Sequence, residues 1–208
     1  IVCIDDANSM AIFEELKGSN RQVVGVSIKD KVDSGVYIKS DTLFDNFTGR
    51  IQTVKDFANI SNLPGSHNLQ NVAVAYTIAR ACGLEIKEII DGISSFSGLA
   101  HRQEKLAVID GIQYINDSKA TNGQAAARAL GCYRNIYWIV GGRAKEDGVN
   151  AAFPHLSRVR HAYLIGEAAT EFASKLDRKV PVTISGQLSS AVHKARENAL
   201  AELGDGAT

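Results

Sequence analysis

Ile136-Tyr137-Trp138-Ile139-Val140-Gly141-Gly142 is an apolar, partly β-branched run stopped by paired glycines, and it reads as a buried strand. Outward from it, strand patterns near 106–109, 113–115, 163–165 and 182–184 alternate with helical patterns near 123–130, 168–176 and 188–203. Alternation of this kind lets each helix return the chain to the start of a neighbouring strand. The second half therefore predicts a parallel, Rossmann-like sheet in an α/β fold.

The first half is organised differently. A short strand at 2–4 gives way at Asp5-Asp6 to a helical pattern through Met10, Ile12, Phe13 and Leu16, ended by Gly18-Ser19-Asn20. Segments 23–28, 36–38, 42–47 and 51–54 follow, separated by only a few Gly, Asp, Ser and Asn residues, a spacing that suits hairpins and predicts a small, largely antiparallel sheet. Leu63-Pro64-Gly65-Ser66 breaks the pattern, a helix follows over 67–82 with Gly83 placed to cap it, and a second helix runs from about 85 to 94. Ser97-Gly98-Leu99-Ala100 reads as a linker, which divides the chain into 1–98 and 99–208. Ile1-Val2-Cys3-Ile4 looks like the middle of a strand and Gly204-Asp205-Gly206-Ala207-Thr208 like a turn, so both ends read as cut from a longer protein.

With 208 residues, 45% hydrophobic and 22% charged, the chain can bury a core, which excludes disorder. Lys plus Arg (23) balances Asp plus Glu (23), so no global field recruits nucleic acid or an anionic membrane. No apolar run approaches the roughly 18 residues of a spanning helix. Cys3, Cys82 and Cys132 are odd in number and lack ligand spacing, so they read as reduced thiols and no metal site is expected. With no secretory leader at the start, a cytoplasmic location fits.

Chemistry concentrates in four places. Asn116-Asp117-Ser118-Lys119-Ala120-Thr121-Asn122 packs a carboxylate, an ammonium and two hydroxyls where a strand ends and a helix begins, the edge at which ligands collect in open α/β sheets. Lys119 can neutralise a phosphate oxygen and Asp117 can accept hydrogen bonds from ribose hydroxyls, although the same residues suit a solvated loop with Asn122 as an N-cap. Asn68 and Asn71, three apart in the first turn of a helix, share a face on which amides can read a nucleotide base, or form a capping cluster. Arg102, in His101-Arg102-Gln103-Glu104, offers a planar fork for phosphate or carboxylate at the linker, or an ordinary surface arginine. In Gly141-Gly142-Arg143-Ala144-Lys145-Glu146-Asp147, the glycines allow a close approach and Lys145 can pair with an anionic group. Asp5-Asp6 could bind a cation, but an N-cap is the simpler reading; His155, His161 and His193 read as structural, and Trp138 and Phe153 as core. No GxxxxGK[ST] or GxGxxG occurs, which argues against independent ATP hydrolysis and against a dinucleotide oxidoreductase.

Taken in order, Leu63-Pro64-Gly65-Ser66-His67-Asn68-Leu69-Gln70-Asn71, Phe96-Ser97-Gly98-Leu99-Ala100-His101-Arg102-Gln103-Glu104, Asn116 to Asn122 and Gly141 to Lys145 closely resemble the Mur ligases of peptidoglycan synthesis. The second and third elements resemble the branch that adds D-glutamate. The resemblance implies that 1–98 is the C-terminal part of a central ATPase domain and 99–208 a Rossmann-like C-terminal ligase domain, incomplete at its end. It implies ATP and Mg2+ as cofactors, with the P-loop and the metal ligands outside this chain. The implied reaction joins D-glutamate to UDP-N-acetylmuramoyl-L-alanine through an acyl phosphate. Asn68 and Asn71 would then face adenine, Asp117 the ribose, and Arg102 and Lys119 the phosphates, with these two cations as the catalytic pair. Thr121 and Lys145 would hold D-glutamate, and Phe96 to Ala100 would be a hinge. Partners would be small molecules, with no nucleic acid and no membrane, in a monomer; these residues alone would be inactive. The reading from a different class is a non-catalytic nucleotide-binding or interaction module.

Overall fold

The computed structural model describes residues 1–58, 60, 63–145 and 148–204; Glu146 and Asp147 of the glycine motif and the terminal turn after Gly204 lie outside the described residues. The chain divides into two compact units, Ile1–Gly98 and Leu99–Thr208.

In the first unit, β1 (Val2–Cys3), α1 (Ala7–Lys17), β2 (Gly25–Ser27), β3 (Gly35–Lys39), β4 (Thr42–Asp45) and β5 (Gln52–Asp56) build a five-stranded sheet in the order β1-β2-β3-β4-β5. β3 to β5 form the expected antiparallel ribbon, but β1, β2 and β3 run parallel, so the sheet is mixed and not largely antiparallel. Two short returns account for this. Helix α1 carries the chain from β1 back to the start of β2, and β2 is so short that residues 28–34 suffice to return without a helix. Close approach also requires glycine here: a Cβ on Gly35 would fall on the Gly25 carbonyl of the paired strand.

Helices α2 (Ser66–Ala81) and α3 (Ile86–Ser95) cover this sheet, burying Val72, Ala73, Tyr76 and Ile89 against Val26, Val36, Ile38 and Leu43. The α2 C-terminus closes as its sequence predicts. Gly83 adopts φ +85°, its N–H reaches the Arg80 carbonyl, and the Leu84 N–H reaches that of Ala79. One buried carboxylate is doubly paired beside this core: the Tyr76 hydroxyl donates to Asp45 Oδ2 at 2.7 Å and Arg80 Nε donates to the same atom at 3.1 Å.

In the second unit, β8 (Ile136–Gly141), β9 (Val159–Ile165) and β10 (Val182–Gly186) form a parallel sheet in the order β10-β9-β8. Side chains alternate across it. Ile136, Trp138, Val140, Ala162 and Leu164 face one core with a 3₁₀ segment (Asn150–Arg158), α4 (Gly123–Leu130) and α5 (Ala169–Leu176). Tyr137, Ile139, Tyr163 and Ile165 face the other, under Ala191 and Ala195 of α6 (Leu188–Gly204). A parallel sheet covered by helices on both faces is the expected Rossmann-like layering. The strands at 106–109 and 113–115 do not join it: β6 (Glu104–Ile109) and β7 (Ile112–Asn116) pair only with each other, antiparallel. The reason is the turn between them. Asp110 and Gly111 adopt φ +53° and +80°, the two-residue hairpin geometry that Asp-Gly favours.

Candidate functional site

The hairpin β6–β7 organises most of the candidate residues. Glu104 and Asn116 are register partners at its open end, so the segment entering β6 and the segment leaving β7 lie side by side. Backbone and side-chain hydrogen bonds then knit them. The Lys119 N–H donates to the His101 carbonyl at 3.0 Å, the Gln103 N–H to Asp117 Oδ1 at 3.0 Å, and the His101 N–H to Glu104 Oε2 at 2.9 Å. Asn116 completes the knot, its Oδ1 accepting from the Ser118 N–H at 3.1 Å and its Nδ2 facing His101 Nδ1 at 2.8 Å. Since that amide nitrogen donates, His101 Nδ1 is the acceptor in this pair.

Two cations emerge from the knot. Arg102 and Lys119 are exposed, and neither side chain makes a hydrogen bond or ion pair among the described residues. Guanidinium and ammonium groups held on adjacent, tied loops are the donor types that suit a polyanion. Asp117 is half-buried and partly structural: besides accepting from Gln103, its carbonyl takes the Ala120 N–H at 2.8 Å. Its negative charge, after burial and the nearby Cys132, helps push the Tyr133 hydroxyl up to about 12.

Because β7 lies in a separate hairpin, the 117–122 loop does not stand on the carboxyl edge of the parallel sheet, which corrects the placement read from the sequence. What positions it instead is α4. Asn122 caps this helix, its Oδ1 accepting from the Ala125 N–H at 2.8 Å. Gly123 lets the helix start against a second loop: a Cβ there would come within 2.7 Å of the Gly148 carbonyl, and the Gly148 N–H in turn bonds the Lys145 carbonyl at 2.8 Å. The loop bearing exposed Thr121 is thereby packed beside the turn bearing exposed Lys145. Gly141 makes room for protein, since a Cβ there would fall on the Ile165 carbonyl, whereas Gly142, at φ +99°, has open space at its Cβ position and bonds that same carbonyl through its N–H at 3.1 Å.

In the first unit, Asn68 and Asn71 open α2 on one face as their spacing predicts. Half-buried Asn68 donates from Nδ2 to the Pro64 carbonyl at 2.8 Å, which fixes its amide, while Asn71 is exposed. Between them, Gln70 reveals a cluster that sequence reading misses. Its Nε2 donates to Asp5 Oδ2 at 2.9 Å, and the Asp5 carboxylate also accepts from the Ser27 hydroxyl at 2.6 Å and the Ile28 N–H. Partial burial raises the Asp5 carboxyl, but the Ser27, Gln70 and Ile28 hydrogen bonds together outweigh it and hold it below the ordinary carboxylate range. Asp6 caps α1 as the sequence suggests, accepting from the Asn8 and Ser9 N–H groups, whereas Asp5 ties the ends of β1 and β2 to the first turn of α2. The signal for it, an aspartate directly after a strand, was present but ambiguous. All three cysteines are free, and among the described residues no helix is long and apolar enough to cross a membrane.

No protein-family model matches the chain. It is 47% identical over 200 residues to the UDP-N-acetylmuramoylalanine–D-glutamate ligase of Rhodospirillum rubrum, covering 96% of this chain and 42% of that protein. The same-named ligase of Paramagnetospirillum magneticum is 43% identical over 202 residues, covering 97% and 43%. The chain thus spans under half the length of the curated relatives it matches. Among solved structures, folylpolyglutamate synthase of Mycobacterium tuberculosis, complexed with ADP and AMPPCP, superposes with a TM-score of 0.59 at 14% identity, covering 95% of this chain and 47% of that one. The UDP-N-acetylmuramate–alanine ligase of Thermotoga maritima superposes with a TM-score of 0.52 at 12% identity, covering 86% and 48%. At these identities the two structures speak for the fold alone, and the sequence relatives carry the likeness: along 96–97% of its length the chain is similar to Mur ligases that add D-glutamate.

Proposed function

We propose that these residues serve an ATP-dependent ligase that joins D-glutamate to UDP-N-acetylmuramoyl-L-alanine. The observation that carries this reading is the pair of cations Arg102 and Lys119, which have no ion-pair partner among the described residues and are held on loops that the hairpin register ties together. In the proposed reaction the γ-phosphoryl of ATP passes to an oxygen of the alanyl carboxylate, leaving ADP and an acyl phosphate. The D-glutamate amine then attacks the acyl carbon, phosphate departs, and an amide forms with loss of a proton. Such chemistry rests on positioning and charge neutralisation, which two fixed cations supply. Arg102 and Lys119 take the phosphates and Asp117 the ribose, while Thr121 and Lys145, on adjoining turns, take the carboxylates of D-glutamate. In the first unit, Asn68 and Asn71 take adenine.

Mg2+ belongs with the nucleotide in this proposal, but no residue here is assigned to it. Asp5 has its oxygens occupied by Ser27, Ile28 and Gln70 donors and does not fit a metal ligand. The proposed enzyme acts on small molecules, as a cytoplasmic monomer, and its activity belongs to the whole protein. The test is phosphate release by the intact protein with ATP and UDP-N-acetylmuramoyl-L-alanine, comparing D-glutamate with L-glutamate, L-lysine and meso-diaminopimelate. Release that depends on D-glutamate is expected; nucleotide binding without any release would favour a non-catalytic module.

A further inference from the structure

We infer that Glu104 is a positioning residue for the two cations, acting through the backbone of the loop that carries Arg102; this rests on the phosphate reading of Arg102 given above. Arg102 is flanked by two residues in the left-handed region, His101 at φ +64° and Gln103 at φ +47°. Side-chain-bearing residues seldom adopt that conformation, and two of them around one arginine persist only where neighbouring groups over-determine the backbone. Glu104 supplies the central tie. Its Oε2 accepts the His101 N–H at 2.9 Å and the Asn116 Nδ2 at 3.4 Å, so a single carboxylate oxygen joins the Arg102 loop to the end of β7. The carbonyl of the same His101 receives the Lys119 N–H at 3.0 Å. The peptide groups of His101 therefore link both loops, and the Glu104 oxygen sets their orientation. Glu104 lies on the edge of the hairpin with its side chain 35% exposed, so its removal opens no core cavity.

The consequence is a ground-state effect. Without the tie, Arg102 samples more directions and Lys119 loses the fixed carbonyl that seats its backbone, which weakens nucleotide binding more than it slows the chemical step. Glutamine at this position keeps an oxygen that accepts the His101 N–H, so Glu104→Gln should retain what Glu104→Ala loses.

The experiment compares the intact protein with its Glu104→Ala, Glu104→Gln, Asn116→Ala and Arg102→Ala variants, measuring steady-state ATP kinetics and hydrogen exchange over residues 99–119. Expected are faster exchange at 99–104 in Glu104→Ala, a rise in KM for ATP of about tenfold with kcat changed by less than about threefold, and near wild-type values in Glu104→Gln. Asn116→Ala, which removes the second tie, should shift KM in the same direction. If Glu104→Ala loosens exchange yet leaves KM for ATP unchanged while Arg102→Ala is impaired, the positioning role alone is wrong. If Arg102→Ala itself leaves ATP kinetics untouched, the phosphate reading fails and takes this inference with it.

Discussion

Lys119 is exposed and touches no carboxylate among the described residues, so its replacement by alanine opens no core cavity. Lys119→Ala in the intact protein should therefore leave stability within about 0.5 kcal/mol of wild type while lowering turnover by about a hundredfold or more. Thermal unfolding and phosphate release, measured on one preparation, check both halves; comparable turnover would remove Lys119 from the site. Asp5 is the opposite kind of residue, with no assigned contact to substrate and many to the fold. Its carboxyl is held below the ordinary 3.8, so the stability it contributes is present above that value and lost as pH falls through the lower folded one. Urea midpoints measured from pH 6 down to pH 3 should fall for the wild type along a steeper acid limb than for Asp5→Asn. Asp6, also lowered by the hydrogen bonds it accepts as a cap, keeps the variant's limb from vanishing. Equal slopes would mean that the Ser27 and Gln70 hydrogen bonds do not select the ionised form.

At the scale of elements, what was legible was local. Periodicity locates β8, β9, β10 and the helices α4, α5 and α6, though not the 3₁₀ segment between β8 and β9; Gly83 ends α2 as a C-cap should, and Asn122 begins α4. Pairing was less legible, because it depends on partners distant in sequence. The parallel register of Val2 with Gly25 and of Gly25 with Gly35 leaves no periodic trace in strands of two or three residues. The β6–β7 hairpin is a different case: Asp110-Gly111 between two apolar runs is a direct turn signal, outweighed in the reading by the strand–helix alternation around it. The candidate residues of the second unit were found by type, but their convergence was not, since it arises from the Glu104–Asn116 register and the Gly123–Gly148 contact. Backbone proximity yields its own prediction. Gly141→Ala would drive a methyl group onto the Ile165 carbonyl of the paired strand, and either β8 or β9 must shift. A loss of about 3 kcal/mol is expected, read as a lower denaturant midpoint at unchanged slope. A neutral outcome would show that the β8–β9 end is loosely held.

For the molecule as a whole, each unit owns its core. One cluster, centred on Tyr76 and Leu43, lies entirely within Ile1–Gly98, while those around Leu164 and around Tyr163 lie entirely within Leu99–Thr208. Residues 99–208 expressed alone should thus unfold in one cooperative transition, because both faces of the parallel sheet are covered from within the unit. The decisive element is α6. Ala191 and Ala195 cover Tyr163, Asn198 Nδ2 donates to the Tyr163 hydroxyl at 2.7 Å, and Arg196 reaches Asp110 at the tip of the β6–β7 hairpin at 2.8 Å. One helix therefore both seals a sheet face and holds the turn of the hairpin whose open end presents Arg102 and Lys119. A stop after Gln187 should leave a chain that retains helical far-ultraviolet signal, binds a hydrophobic dye and melts without a sharp midpoint. Arg196→Ala, by contrast, should melt cooperatively with a midpoint close to that of the parent unit, since an exposed ion pair is worth little to the fold. Cooperative melting of the 99–187 chain would show that the opposite core, packed by α4, α5 and the 3₁₀ segment, suffices by itself to order the sheet.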